Sequence, residues 1–346
     1  MKTFLTFQKK LFNTLFLVFI SFSPLALAIS SWTEDTLFIM PKDGRKPWLE
    51  AINEAKISID MSAYRLSDSK IVAALERASQ RNVKINLLLE PDPAGHDKTN
   101  NVKTPVERLE TMNQVKIFHL SKDFKQAHYK MAVIDKRIGL ISTGNLDEES
   151  FEGIPGKEEA CRDFIVPVFQ SDTVAEMLRV FQADCRHQKI APNNISLIWG
   201  PDHQRSEYER LIQSAKKKIR IYQQDIQDEK MANLIANMAK EGKDVQLIMM
   251  PYPFGHKEDK NIPNQNLIFE NGGKVGLCKA HYIHAKIIII DDEMMYLGSC
   301  NMYPSSLDSV RELGILIDNP KIIQQVIATF DEDWNSSDLM KEKRTN

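Results

Sequence analysis

The apolar and polar positions of this chain follow two alternating periods, and the same alternation occurs in each half. Residues 47–56 and 207–217 carry apolar side chains at i, i+3 and i+4 spacing, which predicts amphipathic helices. Short apolar runs at 57–61 and 219–222 come directly afterwards and predict strands. Each half is therefore expected to begin with a helix that leads into a buried strand.

A second helix and a second strand are predicted at equivalent places of the two halves. The helices are expected over 68–81 and 228–241, and the strands over 83–89 and 245–249. Asp68 and Asp228 stand at the start of these helices, where an aspartate can act as an N-cap. Strands that alternate with helices predict α/β layers in which helices cover a sheet.

The two halves align without a gap over a long stretch when the sequence is displaced by 160 residues. The aligned pairs include Pro41 with Pro201, Arg45 with Arg205, Ala55 with Ala215, Asp68 with Asp228, Leu87 with Leu247 and Pro91 with Pro251. So many matches in one register indicate a duplicated unit. We predict an α/β fold of two pseudo-symmetric α/β/α halves with mixed, mostly parallel sheets, whose ligand groups meet where the halves touch. The boundary is expected at residues 191–194, which gives repeats at 29–192 and 193–346.

The N-terminal segment has a pattern of its own. Three lysines, an apolar run over 11–20 and the small-residue triplet at 26–28 are the parts of a secretory signal peptide. We therefore expect a signal peptide at 1–28 and an exported enzyme, either periplasmic or secreted. The alternative is an uncleaved membrane anchor, although the apolar run is short for a bilayer span of ~20 residues.

Composition and charge narrow the choice of partners. The chain has 346 residues, of which 42% are apolar, enough for a substantial core. Its formal charge is −2, and loss of Lys2, Lys9 and Lys10 with the signal peptide would make it −5. A mildly acidic protein argues weakly against general nucleic-acid binding, which usually requires a basic surface.

Four cysteines leave the disulfide question open. Cys161, Cys185, Cys278 and Cys300 allow three complete pairings, and an oxidising compartment would permit them. None has C-x-x-C spacing, so the sequence predicts no zinc site.

The strongest chemical signal is a motif that occurs once in each half. The first copy consists of His128, Lys130, Asp135, Ser142, Thr143 and Asn145, and the second of His284, Lys286, Asp291, Gly298, Ser299 and Asn301. The spacing is identical in both. A single H-x-K usually marks an ordinary surface strand, but coincidence does not explain six positions repeated in one register.

The motif places reactive side chains on predicted strands. The apolar runs at 131–134 and 287–290 predict strands, on which residues i and i+2 face the same way. His128 and Lys130 are then expected to project together, and a return strand such as 295–297 would bring an asparagine beside them. Histidine can act as nucleophile, acid or base, and lysine and asparagine can donate hydrogen bonds to anionic oxygens. Two such sets suit a phosphodiester, whose transition state carries negative charge on its non-bridging oxygens.

The doubled pattern H-x-K-x4-D-x6-[GS]-[ST]-x-N resembles the signature of the phospholipase D superfamily, and the repeat that carries it covers nearly the whole chain after residue 28. The resemblance implies two α/β/α halves around a pseudo-dyad. It also implies that phosphodiesters are cleaved or exchanged through a covalent phosphohistidine, without a metal or another cofactor. Ser142 replaces the usual glycine in the first copy.

The resemblance also implies roles for individual residues. His128 is expected to be the nucleophile, and His284 to protonate the leaving alcohol and then activate water. The remaining assignments are Lys130, Lys286, Asp135 and Asp291 in the catalytic motifs, Asn145, Asn301, Thr143 and Ser299 as phosphate-binding groups, and Asp163 and Glu312 as histidine-orienting groups. Within the catalytic motifs, a structural role is favoured for the two motif aspartates.

Three functions are compatible with this site. The first is a phospholipase D-type enzyme that hydrolyses phospholipids, or transfers their phosphatidyl group, at a membrane surface. The second is a secreted, metal-independent nuclease, and the third is a protein that binds lipid or phosphate without catalysis. One chain carries both motifs, so a monomer without an obligate protein partner is expected.

Overall fold

The computed structural model describes residues 31–93, 105–156, 159–253 and 257–345. The predicted signal peptide at 1–28 lies outside these ranges. Within them, no helix combines the length and apolar character needed to cross a bilayer.

The first half alternates strands and helices from residue 38 to residue 185. Its elements are β1 (Phe38–Ile39), α1 (Lys46–Glu54), β2 (Ser58–Ala63), α2 (Ser69–Gln80), β3 (Lys84–Leu89), α3 (Pro105–Glu110), β4 (Val115–Phe118), β5 (Lys130–Ile134), β6 (Ile138–Ser142), α4 (Glu148–Glu152), β7 (Cys161–Arg162), β8 (Phe164–Val168) and α5 (Ser171–Cys185).

The second half repeats the order of the main helices and strands. Its elements are β9 (Leu197–Gly200), α6 (Gln204–Gln213), β10 (Lys218–Tyr222), α7 (Glu229–Lys240), β11 (Asp244–Met249), α8 (Ile262–Glu270), β12 (Lys274–Leu277), β13 (Tyr282–Ile283), β14 (Lys286–Ile290), β15 (Met294–Gly298), α9 (Pro304–Asp308), β16 (Glu312–Ile317), α10 (Pro320–Asn335) and β17 (Asp338–Leu339). Its short strands differ from those of the first half: β13 precedes the second H-x-K motif, no strand among the described residues corresponds to β7, and β17 follows the last helix.

The helices and strands predicted from periodicity lie within a few residues of these bounds. The two predicted N-caps are confirmed. The Asp68 carboxylate accepts hydrogen bonds from the backbone N–H groups of Lys70 and Ile71, at 3.1 and 2.9 Å. Asp228 accepts one from Met231 at 2.9 Å. Each bond satisfies a backbone donor that has no partner inside the helix.

Each half builds one large sheet, and the predicted fold class of two α/β halves is confirmed. The strand orders are β1-β8-β6-β5-β2-β3-β4 and β17-β12-β11-β10-β14-β15-β16-β9. Both sheets are mixed, but their balance differs from the expectation of mostly parallel strands. Among the described strands, four of six neighbouring pairs in the first sheet and five of seven in the second are antiparallel. The strand that follows each H-x-K returns through a tight hairpin, which requires antiparallel pairing.

The core has a central layer between the two sheets and an outer layer on each side. In β5, Met131 and Val133 pack into the central cluster, whereas Ala132 and Ile134 pack into the outer cluster of the first half. Helices α5 and α10 contribute apolar side chains to the central cluster. The strand is covered on both faces, which explains its uninterrupted apolar run.

Every strand of the first large sheet precedes residue 169, and every strand of the second follows residue 196. The division into repeats at 29–192 and 193–346 stays a prediction. The halves are joined by backbone pairing, because β13 of the second half lies parallel to β7 of the first.

Candidate active site at the junction of the halves

Short backbone pairings between the halves hold each motif next to the opposite repeat. Tyr282 pairs with Cys161 and Ile283 with Arg162 just before the second motif. The equivalent contact of the first motif is a bridge between Ala127 and Arg311. The residue that follows each arginine is an acidic one, so each histidine is brought beside a carboxylate of the other half.

The two histidine–carboxylate pairs therefore cross the molecule. Nδ1 of His128 lies 2.9 Å from Oε1 of Glu312, and Nδ1 of His284 lies 3.0 Å from Oδ1 of Asp163. An ionised carboxylate can only accept a hydrogen bond, so Nδ1 of each ring must donate. The lone pair of each neutral imidazole is then on Nε2, which is free to attack phosphorus or to accept a proton.

Both imidazoles are held in their neutral form. Burial lowers the pKa of His128 to about 4, because the surroundings solvate imidazolium poorly. Burial also lowers the pKa of His284 to about 4. In each case the paired carboxylate favours the charged form, and the neighbouring motif lysines oppose it. Before a ligand binds, both rings can act as bases at neutral pH.

Each motif lysine is buried and contacts the backbone of its own motif histidine. Nζ of Lys130 donates to the backbone carbonyl of His128 at 2.5 Å, and Nζ of Lys286 donates to that of His284 and to Oε1 of Gln224. Burial and repulsion by Lys286 lower the pKa of Lys130 to about 7, against the opposing attraction of Glu312. Burial likewise lowers the pKa of Lys286 to about 8. An anion bound next to the two lysines would raise both pKa values and restore the full charge of both ammonium groups.

The motif asparagines have side-chain atoms without a partner. Asn145 and Asn301 are each 8% exposed and line the same cavity as the two histidines. Among the described residues, neither Oδ1 atom has a hydrogen-bond partner. Buried polar groups without partners are rare in proteins, and both of these belong to residues that line the cavity.

Thr143 and Ser299 were predicted to bind phosphate, but their hydroxyls form hydrogen bonds with buried carboxylates. The Thr143 hydroxyl donates to Asp163 at 2.6 Å, and the Ser299 hydroxyl donates to Glu312 at 2.5 Å. Both residues are completely buried and neither lines the cavity. A hydroxyl beside a charged carboxylate donates to it in preference to a more distant ligand. These residues therefore support the carboxylates that contact the histidines.

The motif aspartates also lie away from the cavity. Asp135 begins a tight turn with positive φ, and its carboxylate accepts the backbone N–H groups of residues 56–58 at 2.6 to 2.9 Å. Asp291 does the same for residues 216–218 at 2.8 Å. Five residues of extended strand separate Asp135 from Lys130, a distance of about 16 Å. Their inclusion in the catalytic set is corrected: they hold the hairpin turn against the start of the neighbouring strand.

The cavity between the halves has a volume of about 630 Å³. Sequence reasoning missed several residues that line it, among them Tyr64, Arg65, Gln224, Asp225 and Tyr303. The signal was present in the repeat, because positions 64 and 65 align with 224 and 225 just beyond the ends of β2 and β10. Tyr282, which precedes the second motif, lines the cavity as well.

A buried ion pair anchors the arginine next to each orienting carboxylate. Arg162 binds Asp333 of α10 at 2.7 Å, and Arg311 binds Asp184 of α5 at 2.9 Å. These pairs also cross between the halves. In each half the aspartate follows the arginine by 22 residues, a repeated spacing that could have identified the set from sequence.

The cysteines and possible metal ligands form no further site. Cys161, Cys185, Cys278 and Cys300 are all free thiols, so none of the three possible pairings forms. Within the described ranges, no group of three or more His, Cys, Asp or Glu side chains is placed to hold a metal ion. A reaction without a metal or cofactor stays a prediction.

Known proteins resemble this chain along most of its length. A family model described as "Cardiolipin synthase, PLD-like domain" matches residues 48–185 and again residues 208–334. The two matches contain the two motifs and their orienting carboxylates.

Individual relatives agree with the family model. Cardiolipin synthase 1 of Staphylococcus epidermidis is 27% identical across 90% of this chain and 70% of its own. Cardiolipin synthase of Clostridium perfringens is 25% identical across 82% of this chain and 66% of its own. The chain thus spans about two thirds of the length of these relatives. The structure of a phosphatidylserine synthase from Haemophilus influenzae matches with a TM-score of 0.68 at 14% identity, over 90% of this chain and 88% of that one, which shows the fold.

These relatives overturn the expected localisation. Export to the periplasm or beyond by a cleaved signal peptide is wrong, because the matching cardiolipin synthases are membrane-anchored enzymes of the cytoplasmic membrane. A basic flank followed by an apolar run is common to signal peptides and to anchors, since both enter the bilayer through apolar residues. The local pattern could not distinguish a signal peptide from a membrane anchor.

Proposed function

The chain belongs to the phospholipase D superfamily, in the family of cardiolipin synthase PLD-like domains, and we propose that it transfers a phosphatidyl group from a phospholipid to an alcohol or to water. The observation that carries the proposal is that two neutral imidazoles line one cavity, each with its Nδ1 bound to a carboxylate of the opposite half.

The first step is the cleavage of the donor lipid. Nε2 of His128 attacks the phosphorus, so that a P–N bond forms while the bond between phosphorus and the head-group oxygen breaks. His284, charged by a proton taken up with the anionic substrate, gives this proton to the departing oxygen. Glu312 accepts the Nδ1 hydrogen bond of His128 and stabilises the positive charge that develops on the ring.

The second step transfers the phosphatidyl group from His128 to the acceptor, with His284 now acting as a base. An alcohol or a water molecule loses its proton to Nε2 of His284, and its oxygen attacks the phosphorus. The P–N bond to His128 breaks and its electron pair returns to Nε2. Asp163 stabilises the imidazolium of His284, as Glu312 does for His128.

The remaining motif residues bind the phosphoryl oxygens. The Nδ2 groups of Asn145 and Asn301, which line the cavity, can donate to these oxygens. The ammonium groups of Lys130 and Lys286, each bound to the backbone carbonyl of its motif histidine, add positive charge. Donors fixed in place before the reaction stabilise the additional charge of the transition state without reorganisation.

A phospholipid is the substrate that the relatives favour. The curated relatives are named cardiolipin synthases, and they match most of this chain. By this similarity, the donor is a glycerophospholipid and the preferred acceptor is a hydroxyl group of a second lipid. Hydrolysis is then the competing reaction with water.

The proposal is tested with the full chain and vesicles of phosphatidylglycerol, with lipid products identified by mass spectrometry. We expect either a lipid with four acyl chains, in which two phosphatidyl groups share one glycerol, together with one released glycerol, or phosphatidic acid together with glycerol. The ratio of the two lipids separates transfer from hydrolysis. Plasmid DNA under the same conditions is expected to remain intact. Cleavage of DNA with untouched lipid would overturn the proposal in favour of a nuclease.

Matched variants identify the site responsible. His128→Ala and His284→Ala should each abolish turnover of phosphatidylglycerol, whereas His203→Ala, which changes a histidine on the surface of the second half, should not. Full activity in either motif variant would contradict the proposed pair.

A further inference from the structure

Each half of the chain forms one wall of the cavity. The two walls carry opposite charges at equivalent positions of the repeat. Arg65 and Asp225 are aligned by the displacement of 160 residues, and both line the cavity. Arg65 is neutralised by two carboxylates of its own wall, Asp147 at 3.4 Å and Glu149 at 3.1 Å. The arginine therefore contributes little net charge to the first wall.

The second wall presents an acceptor without a cationic partner. Asp225 is 6% exposed, and its carboxylate is bound by the side-chain amide of Gln227 at 2.9 and 3.1 Å. None of the described residues forms an ion pair with it. In the register that aligns His128 with His284, a displacement of 156 residues, the positions that correspond to Asp147 and Glu149 are Tyr303 and Ser305. This wall therefore carries hydroxyls where the first carries charges. Burial raises the pKa of Asp225 to about 6, which leaves it mostly ionised at neutral pH.

Asp225 lies on the side of the cavity where the exchanged alcohol must be. The preceding residue, Gln224, accepts a hydrogen bond from Nζ of Lys286 at 3.2 Å and donates one to Tyr282 at 3.1 Å. Lys286 belongs to the motif of His284, the group that the proposed function assigns to proton exchange with the alcohol. An acid must be within hydrogen-bond reach of the oxygen that it protonates.

We infer that Asp225 accepts a hydrogen bond from a second donor, a hydroxyl or an ammonium group, on the alcohol that leaves or enters beside His284. This inference rests on the proposed function and names the head-group class of that site. A head group with such a donor forms a hydrogen bond with the buried carboxylate of Asp225. A plain alkanol displaces water from this carboxylate and offers no hydrogen bond in its place. A site built to bind a polar group discriminates strongly against analogues that lack it.

The test compares three short-chain lipids that differ only in head group: the glycerol, the ethanolamine and the 1-propanol ester of dihexanoyl phosphatidic acid. The readout is the ratio of kcat/KM for each polar head group to that for propanol. We expect the full-length wild-type chain to favour a polar head group at least about tenfold. Asp225→Asn and Asp225→Ala should reduce this preference at least about tenfold.

Glu149→Gln is the matched control, because it changes a carboxylate of the same cavity on the opposite wall and should leave the ratio unchanged. A loss confined to ethanolamine identifies an ammonium ligand, and a loss confined to glycerol identifies a hydroxyl. An unchanged ratio in a folded Asp225→Asn protein overturns the inference. If the wild-type chain cleaves none of the three lipids, the proposed function fails instead, so the two failures are distinguishable.

Discussion

Nδ1 of His128 lies 2.9 Å from Oε1 of Glu312, although the two residues are separated by 184 positions and belong to different repeats. His284 and Asp163 form the reciprocal contact. Neither half contains both members of a histidine–carboxylate pair, since each supplies an imidazole and the carboxylate for the other imidazole. The proposed chemistry therefore depends on the docking of the two halves.

Glu312→Gln tests this crossed contact. A glutamine can donate its amide N–H to Nδ1, which would stabilise the tautomer with its proton on Nε2 and remove the nucleophilic lone pair. We expect kcat to fall by about 10³- to 10⁴-fold with little change in KM. Steady-state kinetics on a soluble phosphodiester provide the measurement, and Asp163→Asn should have a comparable effect. A loss smaller than about tenfold would mean that the contact does not select the tautomer.

The roles of the two histidines can be separated with a donor whose leaving group needs no proton. On a p-nitrophenyl phosphodiester, His284→Ala should release about one equivalent of p-nitrophenolate per enzyme in a burst and then stop, because water is no longer activated. His128→Ala should give no burst. Stopped-flow absorbance measures both. The reverse pattern would assign the nucleophile to His284.

Anion binding should take up protons near pH 8. The pKa values of Lys130 and Lys286 are lowered to about 7 and 8 in the empty site, so both lysines lose charge as the pH rises through these values. A bound anion favours the charged form and raises both pKa values. Affinity for sulfate, whose own charge is constant in this range, should therefore weaken between pH 7 and 9. Titration calorimetry at pH 8 in buffers of different ionisation enthalpy reports the uptake, and Lys286→Met should reduce it. An affinity independent of pH would be inconsistent with buried lysines that titrate here.

The buried ion pair of Arg162 and Asp333 should stabilise the docking of the halves. Arg162→Met leaves Asp333 buried without its cation, and we expect the free energy of unfolding to fall by about 3–5 kcal/mol. The double variant Arg162→Met/Asp333→Leu should lose much less, since it leaves no unpaired charge. Urea denaturation measures both. Equal losses in the single and double variants would show that the pairing itself contributes little.

Asp135 should matter for stability and little for chemistry. Asp135→Ala removes the acceptor of three backbone N–H groups, and we expect a loss of about 1–3 kcal/mol for the unsatisfied donors. Well below the unfolding temperature, kcat should stay within about threefold of the wild-type value. Thermal denaturation and steady-state kinetics separate the two effects. A large loss of kcat in a stable protein would return Asp135 to the catalytic set.

Local sequence patterns were sufficient to predict the secondary-structure elements, the duplication and the two paired motifs. Helix and strand periods, the N-caps at Asp68 and Asp228 and the equal spacing of the two H-x-K copies are all properties of neighbouring residues. Such features follow from backbone geometry and side-chain alternation, which act over a few positions. The N-terminal segment shows the limit of local patterns, because a basic flank followed by an apolar run occurs both in signal peptides and in membrane anchors.

The contacts between distant residues became visible in the folded chain alone. The tertiary structure paired each histidine with the carboxylate of the other half, turned Thr143 and Ser299 towards these carboxylates, and set Arg65 opposite Asp225 across one cavity. The two crossed histidine–carboxylate pairs depend on how two sheets pack on a shared core, through contacts between residues more than a hundred positions apart. A spacing within one repeat carries no information about that packing, so the crossed arrangement became visible only after the halves were placed together.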